Sequence, residues 1–203
     1  LDYDTGAVIP AFEPGELFAA VPELAEICNL DTEIIYQIFS ENMKVKYWLE
    51  IAQKITKLAN SGVDGILLAH GTDTMSFTAS ALSFLLKELT IPVVVVGSQR
   101  SSDRPSSDAA MNLLNAAYFA GNADIAEVVV SMMGSSSHYY DLIHRATRVR
   151  KMHSSRRDAF RTIGDIPLGY IENQKIKFFT KNIKPRPSKT VKAQSYSNIE
   201  EKI

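Results

Sequence analysis

A chain of 203 residues, 45% hydrophobic and 22% charged, has the make-up of a folded globular protein and excludes a disordered or fibrous one. Its single cysteine, Cys28, excludes an internal disulfide and fits a reducing, cytoplasmic setting. The longest aliphatic run, Ile91 to Val96, is far too short to cross a bilayer, and no signal-peptide pattern stands in the first residues.

The formal net charge is −1, but it is unevenly spread. Residues 1–100 carry 6 Lys+Arg against 13 Asp+Glu, and residues 101–203 carry 16 against 10. Seven cations crowd into Arg145–Arg161 with one anion, Asp158. Such a cluster suits nucleic acid, an acidic partner or an anionic substrate; it equally suits a solvated face paired to the acidic first half.

Gly6 to Pro10 reads as a short extended piece and Glu13 to Leu24 as a helix pair broken at Pro22. Glu33 to Phe39 predicts a strand ending in Ser40-Glu41-Asn42. Val45, Trp48, Leu49, Ala52, Ile55 and Ala59 recur at helical spacing, and Ser61-Gly62 stops that helix. A buried strand, Gly65–Ala69, runs into His70-Gly71-Thr72-Asp73-Thr74, and a helix is predicted over Met75–Leu89. Pro92 to Val96 predicts another buried strand, ending in Gly97-Ser98-Gln99-Arg100. Ser106-Ser107-Asp108 caps a helix through Met111, Leu114 and Tyr118, and Glu127 to Met133 follows as a strand. Lys175 to Phe179 reads as the closing arm of a hairpin.

Strands alternating with helices predict an α/β fold, a parallel sheet flanked by helices on both faces. Residues 1–180 form the expected domain. Residues 181–203, with Lys-Pro-Arg-Pro-Ser-Lys, read as a linker towards a further domain, and the chain as a whole as a fragment.

Ser40-Glu41, Thr72-Asp73 and Ser98-Gln99-Arg100 stand at predicted carboxyl ends of strands, where open α/β sheets bind ligands. Carboxylates there suit an ammonium group; hydroxyls and backbone N–H groups suit a carboxylate. A threonine hydroxyl needs a base or a cation beside it, and Lys151 is the candidate. The plainer readings are an N-cap for Thr72-Asp73 and for Ser40-Glu41, a packed histidine for His70, and structural pairing for the basic run. His138, His144 and His153 lack metal-ligand spacing, and no phosphate-binding glycine loop is present.

In order along the chain these motifs resemble the asparaginase/glutaminase-type amidohydrolases. Tyr3, in Asp2-Tyr3-Asp4-Thr5-Gly6, looks like the tyrosine of that family's mobile loop, and Ser40-Glu41 like its substrate-binding pair. His70-Gly71-Thr72-Asp73-Thr74 matches its most specific motif, and Lys151 falls at its catalytic lysine. The resemblance implies a triad of Thr72, Asp73 and Lys151. It implies that Asp73 and Glu41 hold the substrate ammonium and Ser40 the α-carboxylate, and that deamidation of asparagine or glutamine runs through an acyl-enzyme. It also implies a homodimer with the site near the subunit contact.

Two longer strings, Gly97 to Asn112 and Val149 to Phe160, are similar to the branch that supplies archaeal glutamyl-tRNA(Gln) amidotransferases with their glutaminase component. That implies release of ammonia from glutamine for a partner amidotransferase subunit, which binds tRNA(Gln) and carries ATP and Mg, within a heterotetramer. No cofactor is then expected in this chain. A free cytoplasmic asparaginase and a non-catalytic amino-acid-binding protein are the other readings. The family's Thr-Gly-Gly-Thr-Ile segment has no match here, so the expectation is a truncated site, inactive alone. The cluster Arg145–Arg161 is expected both to place Lys151 and to contribute to the partner surface, so that charge reversal at Arg156 and Arg157 would weaken complex formation.

Overall fold

The computed structural model describes residues 21–100, 104–188 and 191–200. The expected piece Gly6–Pro10 and most of Glu13–Leu24 lie outside the described residues. In chain order the helices are α1 (Leu24–Ile27), α2 (Val45–Ala59), α3 (Met75–Leu85) and α4 (Ala109–Asn122). The strands are β1 (Ile66–Ala69), β2 (Leu86–Lys87), β3 (Val93–Val96), β4 (Val128–Met133), β5 (Asp141–Arg145), β6 (Val149–Lys151), β7 (Phe160–Thr162), β8 (Gly169–Glu172), β9 (Lys175–Phe178) and β10 (Gln194–Ser195).

The central sheet has the order β1-β3-β4-β5-β8-β9. Its first three strands are parallel, with Ile66 beside Val93 and Val93 beside Val128. Helical crossovers join them, as parallel pairing requires. Only a short loop separates β4 from β5, so β5 folds back antiparallel, and β8 and β9 continue in that sense. Asn173 and Gln174, both at positive φ (48° and 58°), turn the expected β8–β9 hairpin.

Alternation along the valine-rich strands divides the core in two. Val93, Val95, Val128 and Val130 meet Ile51, Ala52, Ile55, Met75, Ala79 and Leu82 of α2 and α3. On the other face Val94, Val96 and Val129 meet Leu113, Ala116, Phe119 and Ala120 of α4. Each fully buried valine or leucine contributes about 1.5–3 kcal/mol. Trp48 Nε1 donates to Thr78 Oγ1 at 2.9 Å and joins α2 to α3. The α/β class with helices on both faces is the one expected from the sequence.

Two expected elements differ. Glu33–Phe39 is irregular rather than a strand: it pairs with no described strand, and Ile34, Ile35 and Phe39 are exposed. Helix α3 ends at Leu85, short of Leu89, because Leu86–Lys87 turns extended and pairs with Gln194–Ser195. The proline-bearing tail thus runs back along the domain. Lys184 O accepts from Ala126 N–H at 2.8 Å, and Arg186 reaches the carbonyls of Ala120 and Ala123.

The α4 face of the sheet contains a polar seam. Asp108, Asn112 and Asn115 on or beside α4 face Ser131 and Asp141, all buried. Ser131 Oγ donates to Asp141 Oδ2 at 2.9 Å. Burial, aided by the Asp108 carboxylate and opposed by Ser131 and Asn115, pushes the Asp141 carboxyl up to about 7. Burial, with Arg161 nearby, holds the His144 imidazole down at about 4.

Because folded Asp141 keeps its proton up to about 7 while an unfolded aspartate loses it near 3.9, its contribution to stability falls as pH rises between those values. His144 works in the opposite sense in an overlapping window, since the unfolded state takes up a proton that the folded state refuses. Replacing Asp141→Asn removes the first effect and leaves the second. The stability of the native sequence relative to D141N is therefore expected to decline steadily from pH 4.5 to 7 in urea titrations. A difference that is flat or rises with pH would show that Asp141 is ionised in the fold.

Candidate active site

The carboxyl ends of β1 and β3 lie side by side, and both run into tight turns. After Ala69 the chain turns through His70-Gly71-Thr72-Asp73 into α3. Thr74 is the residue at the helix N-cap, and no side chain caps the helix there. Thr72 and Asp73 are thus not serving as caps. Their side chains meet Lys151: its Nζ donates to Thr72 Oγ1 at 2.8 Å and to Asp73 Oδ1 at 2.8 Å.

Lys151 arrives there through strand period. Val149 and Lys151 point the same way from β6, and Val149 is fully buried. Arg150 points away and stacks over the Phe77 ring at 5.3 Å. The Lys151 side chain is 14% exposed and that of Asp73 57%, so the pair is shielded on the lysine side and open on the carboxylate side.

Ser40 is brought to the same turn. A Cβ on Gly71 would lie 2.8 Å from Ser40 Cβ, so only glycine allows that approach. Thr74 Oγ1 donates to Ser40 O at 2.7 Å, and Ser40 Oγ to Glu41 Oε2 at 3.3 Å. Ser40, Thr72, Asp73 and Lys151 therefore form one neighbourhood, with Glu41 at its exposed side. Tyr3 lies outside the described residues. His70 Nδ1 meets Gly71 O at 2.6 Å and must carry the proton, since a carbonyl only accepts. Burial lowers the His70 pKa, which keeps the ring neutral.

Among the described residues Arg145, Lys151, Arg156 and Arg161 of this run form ion pairs, and of these four only Lys151 pairs with a carboxylate of the acidic first half. Arg156 grips Asp158 with two bonds of 2.9 and 2.8 Å, and Arg161 adds a third at 2.6 Å. These bonds hold the Asp158 carboxyl down at about 2. Arg157 donates to the backbone carbonyls of Ser106 and Ser136 and lies over Tyr139. Arg156 and Arg157 are thus engaged inside this chain, bracing the hairpin that carries Lys151. The Arg156 side chain nonetheless remains 54% exposed.

Sequence reasoning missed the residues behind the site. Asp108 and Asn112, one helical turn apart, hold the Gly97–Arg100 turn. The available signal was polar side chains on the apolar face of α4. Among the described residues, no group of three or more His, Cys, Asp or Glu could hold a metal ion.

The sequence matches the asparaginase N-terminal family across residues 1–184. The chain belongs to the asparaginase family. It is 54% identical over its whole length to a glutamyl-tRNA(Gln) amidotransferase subunit of Pyrococcus furiosus, covering 46% of that protein. Against the same subunit of Sulfolobus acidocaldarius it is 48% identical over 98% of this chain and 45% of that one. A solved structure, a probable cytoplasmic L-asparaginase from Campylobacter jejuni, superposes with a TM-score of 0.78 at 36% identity, over 86% of this chain and 54% of that one. The chain thus spans about half the length of the curated relatives it matches.

Gly97 tests how tightly the two turns are joined. A Cβ there would sit 2.4 Å from His70 O, a backbone atom that no rotamer change can move aside. Gly97→Ala is expected to destabilise by about 1–3 kcal/mol. Gly121, on α4 with open space around it, should instead gain from the same change. Thermal midpoints of the two variants check this; a Gly97→Ala midpoint equal to that of the native sequence would mean that the turns are not in contact.

Proposed function

We propose that this chain supplies the Thr72–Asp73–Lys151 part of the glutaminase site of a tRNA-dependent amidotransferase. The observation that carries this reading is the pair of 2.8 Å bonds from Lys151 Nζ to Thr72 Oγ1 and Asp73 Oδ1. Identity of 48–54% to amidotransferase subunits along nearly all of the chain, against 36% to an asparaginase, favours glutamine over free asparagine as substrate.

In this reading Lys151 and Thr72 form a proton path. When Lys151 is a neutral amine it accepts the Thr72 hydroxyl proton, and Thr72 Oγ1 in turn takes a proton from water or from the attacking group. Attack on the side-chain amide carbon of glutamine forms an acyl-enzyme; the leaving amide nitrogen gains a proton and departs as ammonia. Water then releases glutamate. Asp73 and Glu41 hold the α-ammonium and Ser40 the α-carboxylate, with Tyr3 as a further substrate-binding residue.

No Thr-Gly-Gly-Thr-Ile string occurs among the 203 residues, and no attacking threonine is assigned within them. The ammonia passes to a partner amidotransferase subunit, which binds ATP, Mg and tRNA(Gln) and converts Glu-tRNA(Gln) to Gln-tRNA(Gln). The working assembly is a cytoplasmic heterotetramer built on a homodimer of the glutaminase subunit. No described helix is long and apolar enough to cross a membrane.

The test measures ammonia from glutamine with the full-length subunit, alone and with its partner and Glu-tRNA(Gln). Turnover is expected to rise in the complex, and Lys151→Met to lower it about 10²- to 10⁴-fold. The 203-residue chain alone is expected to release none. High asparagine turnover without the partner would instead make this a free asparaginase, and amino-acid binding without turnover a binding protein.

A further inference from the structure

Thr72 and Lys151 stand on elements that share no backbone ladder. Strand β1 lies at one edge of the central sheet, whereas β6 pairs only with β7 in a separate two-stranded ribbon. Val149 and Phe160 pack in one core cluster with Met75 and Ala79 of α3, which brings the two elements together, and polar links set the finer distance between the two side chains. The Gly97–Arg100 turn touches both. On one side Gly97 packs against His70 O and Thr72 Cγ2. On the other, Gln99 Nε2 donates to Ser154 O, three residues beyond Lys151.

That turn is anchored on two buried side chains, with Asp108 at the centre. Both oxygens of Asp108 accept from its backbone: Oδ2 from Gln99 N–H at 3.0 Å and Oδ1 from Arg100 N–H at 2.9 Å. Asn112 Nδ2 donates to Asp108 Oδ2 at 2.9 Å and to Gly97 O at 2.8 Å. Ser107 Oγ closes the turn on Arg100 O at 2.9 Å. Asp108 is fully buried and stands at the start of a 14-residue helix packed on the core. Its three described hydrogen bonds come from two backbone N–H groups and one amide, a pattern that fixes loop geometry.

We propose that Asp108 is a positioning residue for the reaction, setting Lys151 against Thr72 through the Gly97–Arg100 turn and the Gln99–Ser154 bond. The kinetic consequence rests on the glutaminase reading; the geometric one does not. Asp108→Asn keeps the side-chain shape but turns an N–H₂ group towards a backbone N–H. Gln99→Met keeps length and removes only the link to Ser154.

Two readouts in the full-length subunit with its partner test this. In glutamine turnover, both variants are expected to lower kcat, D108N by about 10- to 100-fold and Q99M by less, with KM within about threefold, because Ser40 and Glu41 are untouched. In amine-reactive labelling followed by mass spectrometry, Lys151 is expected to react several-fold faster in both variants, and other lysines at their native rates. Unchanged kcat and unchanged Lys151 labelling in D108N would overturn the proposal. So would faster labelling of all lysines in D108N with a silent Q99M, which would reduce Asp108 to a fold-stabilising role. A raised KM with native kcat in Q99M would make Gln99 a substrate contact and overturn it too. If the native complex releases no ammonia but Lys151 labelling responds as expected, the glutaminase reading fails and the positioning role stands.

Discussion

The contact on which this structure turns is the bridge from Lys151 Nζ to Thr72 and Asp73. It joins a loop of the central sheet to a hairpin outside that sheet. As a source of stability it is minor: a pair whose carboxylate side chain is 57% exposed contributes at most about 1 kcal/mol. A single core valine exceeds that. The bridge therefore does not hold the loops together; the loops hold the bridge. That order of magnitudes explains why so many contacts behind the site are devoted to turns. Gly71 and Gly97 let backbones approach, and the Arg156–Asp158–Arg161 cluster braces the lysine's hairpin.

Helix α4 does two things at once. Its Leu113, Ala116 and Phe119 bury against the valine strands, as an amphipathic helix should. Within the same buried surface it carries Asn112 and Asn115, with Asp108 just before them. Burying polar groups is unfavourable unless they find partners. Asp108 and Asn112 find theirs in the Gly97–Arg100 turn, where the turn's own backbone groups would otherwise lack them. Asp141, further along the seam, meets the same constraint by keeping its proton, since burial pushes its pKa to about 7.

The regular elements are legible because hydrophobic period reports burial directly. Val93–Val96 and the α2 pattern have no reading other than core strand and amphipathic helix. Glu33–Phe39 misleads for the same reason in reverse: Ile34, Ile35 and Phe39 have strand chemistry, yet they stay exposed and their segment joins no described sheet. At the site, residue types alone favour an N-cap for Thr72-Asp73. Their partner stands some eighty residues on, and without coordinates only the family resemblance connects them. Asp108 is hidden by its position, since Ser-Ser-Asp ahead of a helix reads as a cap: Ser107 Oγ does accept from Ala109 N–H at 3.1 Å, whereas the Asp108 carboxylate serves the Gly97–Arg100 turn instead. The basic run stays open in the sequence, between a partner face and structural pairing, because formal charge does not show geometry. Asp158 neutralises two arginines from within the same hairpin.

The exposure of the bridge is uneven in a way that suits an amino-acid substrate. Asp73 gives Oδ1 to Lys151, and among the described contacts Oδ2 has no partner. That free oxygen belongs to the half of the pair facing solvent, whereas the lysine amine is shielded. A carboxylate so divided can accept from the ligand's ammonium without releasing the lysine, because its two oxygens serve two different cations. Lys151, with two of its three N–H donors engaged, stays aligned on Thr72 while the ligand arrives. Under the proposed reading, recognition of the ligand and the hold on Lys151 then share one side chain but not one atom. A shortened or shifted carboxylate at this position would sacrifice one role to keep the other.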